Sequence, residues 1–302
     1  MTPLKRYLAE EVAVDHADGL ISRREALRRL GLLGLSISAA SALLAACSSA
    51  QEAAPRTSPS LGTPATQTQT PSPGATVATQ AITFAGPGGR TLRGAWAPAS
   101  RPKGGVLVIH ENRGLTDHIR SVAGRLAGSG YPALAIDLLS EEGGTDSFSD
   151  PAAATAALGE VPDSRFIADM KAGVSELARR LPQSRLGAIG FCFGGAMVWT
   201  LLDAGEPRIN AAVPFYGTTP DSPDFTGSRA AAVLGVYAEM DDRVNATRDD
   251  AQRALETAGL VHEIVTYPDV NHAFFNDTGP RYDAAAARTV YAKMLDWFGR
   301  HL

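Results

Sequence analysis

Cysteine is nearly absent from this chain: two in 302 residues, Cys47 and Cys192. A disulfide framework is therefore excluded as a source of stability. Charge of one sign is also scarce, since 28 Lys and Arg stand against 32 Asp and Glu, a formal net charge of -4. No long Lys/Arg block occurs beyond the first 30 residues, which argues against a nucleic-acid partner. No His/Cys cluster has ligand spacing, so no metal is expected. Gly86-Pro87-Gly88-Gly89 lies between two extended runs and leads into no helix, so it is not a phosphate loop, and no cofactor is expected. The uncharged apolar run Leu30 to Ala46 is short and weakly apolar beside the about 20 strongly apolar residues of a membrane span. No internal repeat is present.

The first 80 residues read as targeting and tether rather than as fold. Ser22-Arg23-Arg24-Glu25-Ala26-Leu27-Arg28-Arg29 is basic, and the uncharged run follows it, as in the n- and h-regions of a secretory signal. The segment resembles a twin-arginine export signal, with Ala26 where a Phe is common and 21 residues ahead of Ser22. Leu44-Ala45-Ala46-Cys47 resembles a bacterial lipobox, which implies cleavage before Cys47 and lipidation of it. The alternatives are ordinary cleavage near Ala46 or an uncleaved anchor. Ser48 to about Thr79 is mostly Ser, Thr, Pro, Gln, Gly and Ala with almost nothing large, too poor in apolar groups to offset its ordering entropy. The expected organisation is a signal at 1–47, a flexible linker at 48–79 and a domain at 80–302. The protein is then exported and tethered to a membrane by a lipid. Lipidation of Cys47 would leave Cys192 as the one thiol of the mature chain.

Gly190-Phe191-Cys192-Phe193-Gly194-Gly195 is the most informative segment. It follows the apolar run Leu186 to Ile189 and precedes Ala196 to Leu202, which reads as a helix. Strand, Gly-x-nucleophile-x-Gly, helix is the pattern of a nucleophile elbow. The turn brings two backbones close, so side chains at the flanking positions would clash. The central side chain is presented at a helix N-terminus, which favours negative charge and so biases a thiol toward thiolate. Taken alone, Cys192 could equally be a buried small hydrophobe.

The rest of the domain alternates strands and helices. Residues 82–84 and 91–96 read as an antiparallel pair. Further strands are expected at 105–109, 131–138, 209–216, 232–238 and 261–267. Helices are expected at 117–128, 166–181, 246–258 and 281–298. Such alternation implies a mainly parallel sheet covered on both faces, the α/β-hydrolase fold. In that fold nucleophile, acid and base follow in chain order. Asp241, with Asp242 as runner-up, sits in an acidic loop after the 232–238 strand. His272 sits in the loop between the last strand and the last helix. His272 would take the thiol proton and Asp241 would orient the imidazole. The backbone N–H of Phe193 and one near Asn112 would hold the acyl oxyanion.

Together His110-Glu111-Asn112-Arg113-Gly114-Leu115, the elbow, the Asp241 loop and His272-Ala273-Phe274-Phe275-Asn276 resemble the dienelactone hydrolase family over about residues 80–302. The resemblance implies a carboxylic-ester hydrolase working through an acyl-thioester on small-molecule esters or lactones. It implies that Glu111 contacts the cysteine and keeps it protonated until substrate binds; otherwise Glu111 is a structural carboxylate. Dienelactone-cleaving members grip the substrate carboxylate with arginines, one of them a few residues after the histidine. Here that place holds Asn276. Arg113 is close to the site in sequence and is a candidate substrate contact, but it is not the matching residue. Thioester hydrolysis on the same triad, or a non-catalytic binding protein retaining the fold, are the rival readings.

Overall fold

Eight strands form one sheet in the order β1-β2-β4-β3-β5-β6-β7-β8. They are β1 (Gln80–Ala85), β2 (Thr91–Ala97), β3 (Gly105–Ile109), β4 (Ala133–Asp137), β5 (Leu186–Phe191), β6 (Ile209–Phe215), β7 (Ala232–Ala238) and β8 (His262–Tyr267). The first two pair antiparallel, and β2 is antiparallel to β4. Every later pairing, from β3 with β4 to β7 with β8, is parallel. This computed structural model describes residues 1–52 and 76–302, and the side chains of 47–52 are not among those described. The Cys47 side chain and residues 53–75 of the expected linker at 48–79 therefore lie outside what is described.

The helices are α1 (Pro3–Ala17), α2 (Arg23–Leu32), α3 (Ile37–Glu52), α4 (Asp117–Gly128), α5 (Pro151–Glu160), α6 (Asp163–Arg180), α7 (Phe193–Asp203), α8 (Asp242–Asn245), α9 (Arg248–Thr257) and α10 (Ala284–His301). The chain divides into two units: 1–72 with 150–160, and 73–149 with 161–302.

In the larger unit, β3, β4, β5 and β7 are buried along their whole length. Their sequences are mostly runs of Val, Leu, Ile, Ala and Gly rather than alternating ones, as expected for parallel strands covered on both faces. Helix α4 packs on β4, α6 on β3, α7 on β5 and β6, and α10 on β6 and β7. Because β3, β5, β6, β7 and β8 run parallel, the loops that leave their C-terminal ends gather along one edge of the sheet. Ligands bind at that edge in open α/β sheets.

The smaller unit differs from the expectation of a leader without fold. Leu4, Leu8, Val12, Leu30 and Leu33 recur at helical spacing and are buried. Ser22 caps α2 by accepting from the Glu25 N–H, while Arg23 and Arg24 are exposed. Helix α5 belongs to this unit. Lys5 pairs with Glu160 at 2.7 Å and Arg28 with Asp150 at 2.6 Å. No helix among the described residues is long and apolar enough to cross a membrane.

Candidate active site

Cys192 stands between β5 and α7 with φ 56° and ψ -119°, a conformation that costs a non-glycine residue of order 1–3 kcal/mol. Two backbone bonds hold it there. Its N–H donates to Phe215 O at 3.1 Å, and its carbonyl accepts from Ala196 N–H at 3.1 Å. The glycines around it are sterically required. A Cβ on Gly190 would meet the Gly194 carbonyl oxygen at 2.0 Å, one on Gly194 would meet Ile109 O at 2.3 Å and His110 O at 2.5 Å, and one on Gly195 would meet Phe215 O at 2.2 Å. The close approach at Gly194 also sets the loop after β3 against the elbow. Phe193 opens α7, so its N–H has no carbonyl four residues back within the helix. Asn112 is half-buried in the turn after β3, and Arg113 is exposed beside it.

Asp241 and His272 meet as the chain order anticipates. His272 Nδ1 lies 2.5 Å from Asp241 Oδ2, and both residues are buried. Asp241 Oδ1 accepts from Val244 N–H at 3.3 Å as the cap of α8, which fixes the carboxylate and turns its other oxygen to the imidazole. Burial pushes the Asp241 carboxyl up. The charge and hydrogen bond of His272, the nearby Arg243 and the Val244 N–H outweigh it and leave the group below its ordinary value. Asp242, the other acidic candidate, is exposed. The two loops are joined by Met240 N–H to Val270 O at 3.0 Å and Asp269 N–H to Glu239 Oε2 at 2.9 Å. Cys192 Sγ lies within 4.8 Å of a His272 ring nitrogen.

Aromatic rings pack around the loop that carries the histidine. Phe275 stacks on Phe191 with centroids 5.2 Å apart and tilts against Phe215 at 5.3 Å. Tyr216, one residue past β6 and at φ 35°, meets His272 edge-on at 5.1 Å and Phe274 at 5.7 Å. A fully buried ring contributes about 1.5–3 kcal/mol of burial, so Phe274 and Phe275 act as anchors for the His272 loop.

His110 and Glu111 take different parts. Leu138 N–H donates to His110 Nε2 at 3.1 Å, so that nitrogen carries the lone pair. The proton is then on Nδ1, which donates to Glu111 O at 2.6 Å. Burial pushes the His110 pKa down, in keeping with a neutral ring. The Glu111 side chain is buried, and its Oε2 accepts from Asn276 Nδ2 at 2.6 Å.

The structure thus gathers Cys192, His272 and Asp241, sets Phe193 and Asn112 on adjoining turns, and leaves Arg113 at the surface. Sequence reasoning missed Tyr216, the Asn276–Glu111 bond and the bridge by which His110 holds the loop after β3 to the end of β4. Tyr216 carries no local motif. His110 had one usable signal, a histidine where an apolar strand ends.

Fold and site together define an α/β hydrolase. The model of the dienelactone hydrolase family matches residues 93–302. A protein of Escherichia coli O157:H7 named "Putative carboxymethylenebutenolidase" is 36% identical over 208 residues, which cover 65% of this chain and 76% of that one. A relative of the same name from Methylorubrum extorquens is 32% identical over 209 residues, covering 65% of this chain and 72% of the relative. A crystal structure described as "Putative Dienelactone Hydrolase from Klebsiella pneumoniae subsp. pneumoniae MGH 78578" superposes with a TM-score of 0.64 at 31% identity, over 74% of this chain and all of the other. The chain belongs to the dienelactone hydrolase family, and with it to the carboxylic-ester hydrolases.

Proposed function

We propose that this protein hydrolyses small carboxylic esters or lactones with Cys192 as nucleophile, His272 as base and acid, and Asp241 as its orienting partner. The observation that carries this reading is Cys192 held at positive φ within 4.8 Å of a histidine that is itself fixed by a buried carboxylate. Nδ1 of His272 is engaged by Asp241, so Nε2 is the nitrogen that receives the thiol proton. The thiolate attacks the carbonyl carbon, and the N–H groups of Phe193 and Asn112 hold the oxyanion. Collapse breaks the C–O bond, and the alcohol leaves with the proton from His272. A water, deprotonated by His272, then cleaves the thioester to release the acid and restore the thiol. Glu111 keeps the resting thiol protonated by like-charge repulsion of the thiolate. Arg113, exposed beside Asn112, is a contact for the polar end of the substrate.

The test is a panel of small aryl esters, lactones and thioesters with wild type and Cys192→Ala. Hydrolysis of the oxygen esters that is lost in the variant supports the reading. Turnover of thioesters alone moves the substrate class, and hydrolysis retained by the variant overturns the nucleophile.

We further propose that residues 1–47 direct export and that Cys47 carries a lipid, on the strength of the twin arginines and Leu44-Ala45-Ala46-Cys47. Cys47→Ala is expected to move the protein from the membrane to the soluble envelope fraction. Unchanged fractionation rejects the anchor.

A further inference from the structure

Asn276 sits four residues past His272, and its side chain has one possible orientation. The backbone N–H and the hydroxyl of Thr278 both donate to Asn276 Oδ1, at 3.0 and 2.7 Å. An amide oxygen only accepts, so the NH2 group faces the other way. There Nδ2 donates to Glu111 Oε2 at 2.6 Å. The Asn276 backbone is fixed as well, with its N–H on Ala273 O and its carbonyl accepting from Gly279 N–H, both at 3.0 Å. Glu111 follows His110, whose carbonyl lies against Gly194 of the elbow. One side-chain bond therefore links the loop after β3, the elbow behind it and the loop that carries His272.

We propose that Asn276 is a positioning residue for Glu111: its amide holds the carboxylate in one rotamer and in its ionised form. The proposal rests on the gating role given to Glu111 above. A donor to a carboxylate favours the charged state. A single amide N–H also holds less tightly than a bidentate guanidinium would, so Glu111 can leave when substrate enters. Since Asn276 and His272 share a loop, displacement of Glu111 is felt by the base, and the gate and the base are mechanically coupled.

Asn276→Asp isolates this bond. The variant keeps an oxygen for Thr278, so the loop retains its internal bonds, and only the group facing Glu111 changes. Two carboxylates in contact share one proton and raise the pKa of the pair. The pin is then present at low pH and lost as pH rises through that raised value. In the variant, iodoacetamide alkylation of Cys192 against pH should acquire an extra step that wild type lacks. The value of kcat should fall about tenfold on the alkaline side of that step, the size of one hydrogen bond to a charged group. Glu111→Gln with Asn276→Asp swaps amide and carboxylate, and should remove the step. Asn276→Ser, which has no carboxylate, should lower kcat without adding a step. An alkylation profile for Asn276→Asp that superimposes on wild type, or a step that survives the Glu111→Gln change, overturns the pin. Alkylation needs no substrate, so absence of ester hydrolysis in wild type sinks the functional reading and leaves this test intact. An unchanged profile in Glu111→Gln alone sinks the gate itself.

Discussion

The elbow and the two acid–base loops hold their groups by different physics. Cys192 is held by backbone: a positive φ, glycines with no room for a Cβ and two main-chain bonds. Asp241 and His272 are held by side chains, through one carboxylate–imidazole contact, a helix cap and a floor of Phe and Tyr rings. The nucleophile is thus placed sterically and its partners electrostatically. A steric device fails all at once, whereas an electrostatic one fails by degrees and with pH.

Gly194→Ala should break the steric half most severely. The added Cβ would lie 2.3 Å from Ile109 O and 2.5 Å from His110 O, both backbone atoms that cannot rotate away. The expected loss is about 4 kcal/mol or more, enough to leave little folded protein. Urea unfolding checks this, and a midpoint near that of wild type would show that the close approach is not required.

Asp241→Asn attacks the electrostatic half and should spare the fold. An amide in that place can present its NH2 to Nδ1 and stabilise the wrong imidazole tautomer. Turnover is expected to fall about 10²–10⁴-fold with an unchanged far-ultraviolet spectrum. A loss under tenfold would mean that His272 is oriented chiefly by Tyr216 and its loop.

The same contrast explains what could be read in advance. The run Gly105 to Ile109 became β3, and the runs at 117–128 and 232–238 became α4 and β7 with the bounds expected. The elbow was legible because all its determinants lie within six consecutive residues. Asp241 and His272 were legible from chain order, since each follows a strong strand. The Asn276–Glu111 bond spans 165 positions and leaves no local trace. Helix α5 escaped notice because Pro151–Glu160 is mostly small apolar residues without a face. The expected helix at 246–258 is α9, and the short α8 ahead of it is additional, started by the Asp241 cap. In the N-terminal segment the leucines at helical spacing carry a fold signal beside the targeting-like motifs, and both are legible in the same residues.

A smaller effect concerns pH. His110 and His118 both have pKa values lowered first by burial, in His118 against the opposing pull of Asp277. The unfolded chain takes up protons on these rings below about 6.5 while the folded chain does not, so stability is lost as pH falls from there toward the folded values. The slope is up to about 1.4 kcal/mol per pH unit for each ring. Asp241 acts lower. Its folded pKa is depressed, so its contribution is present above the unfolded value near 4 and is lost as pH falls through the folded one. Urea midpoints should therefore decline between pH 7.5 and 5.5. A flat midpoint across that window would mean that neither ring is buried neutral.

The most direct test is to quench wild-type protein during turnover of an activated aryl ester and map the acyl group by peptide mass spectrometry. The expected result is one acyl group on the peptide carrying Cys192, absent in Cys192→Ala and strongly reduced in His272→Ala, where the thiol loses its base. Full-rate hydrolysis with Cys192 unmodified at every quench time, or an acyl group on another residue, would contradict the assignment of Cys192 as nucleophile.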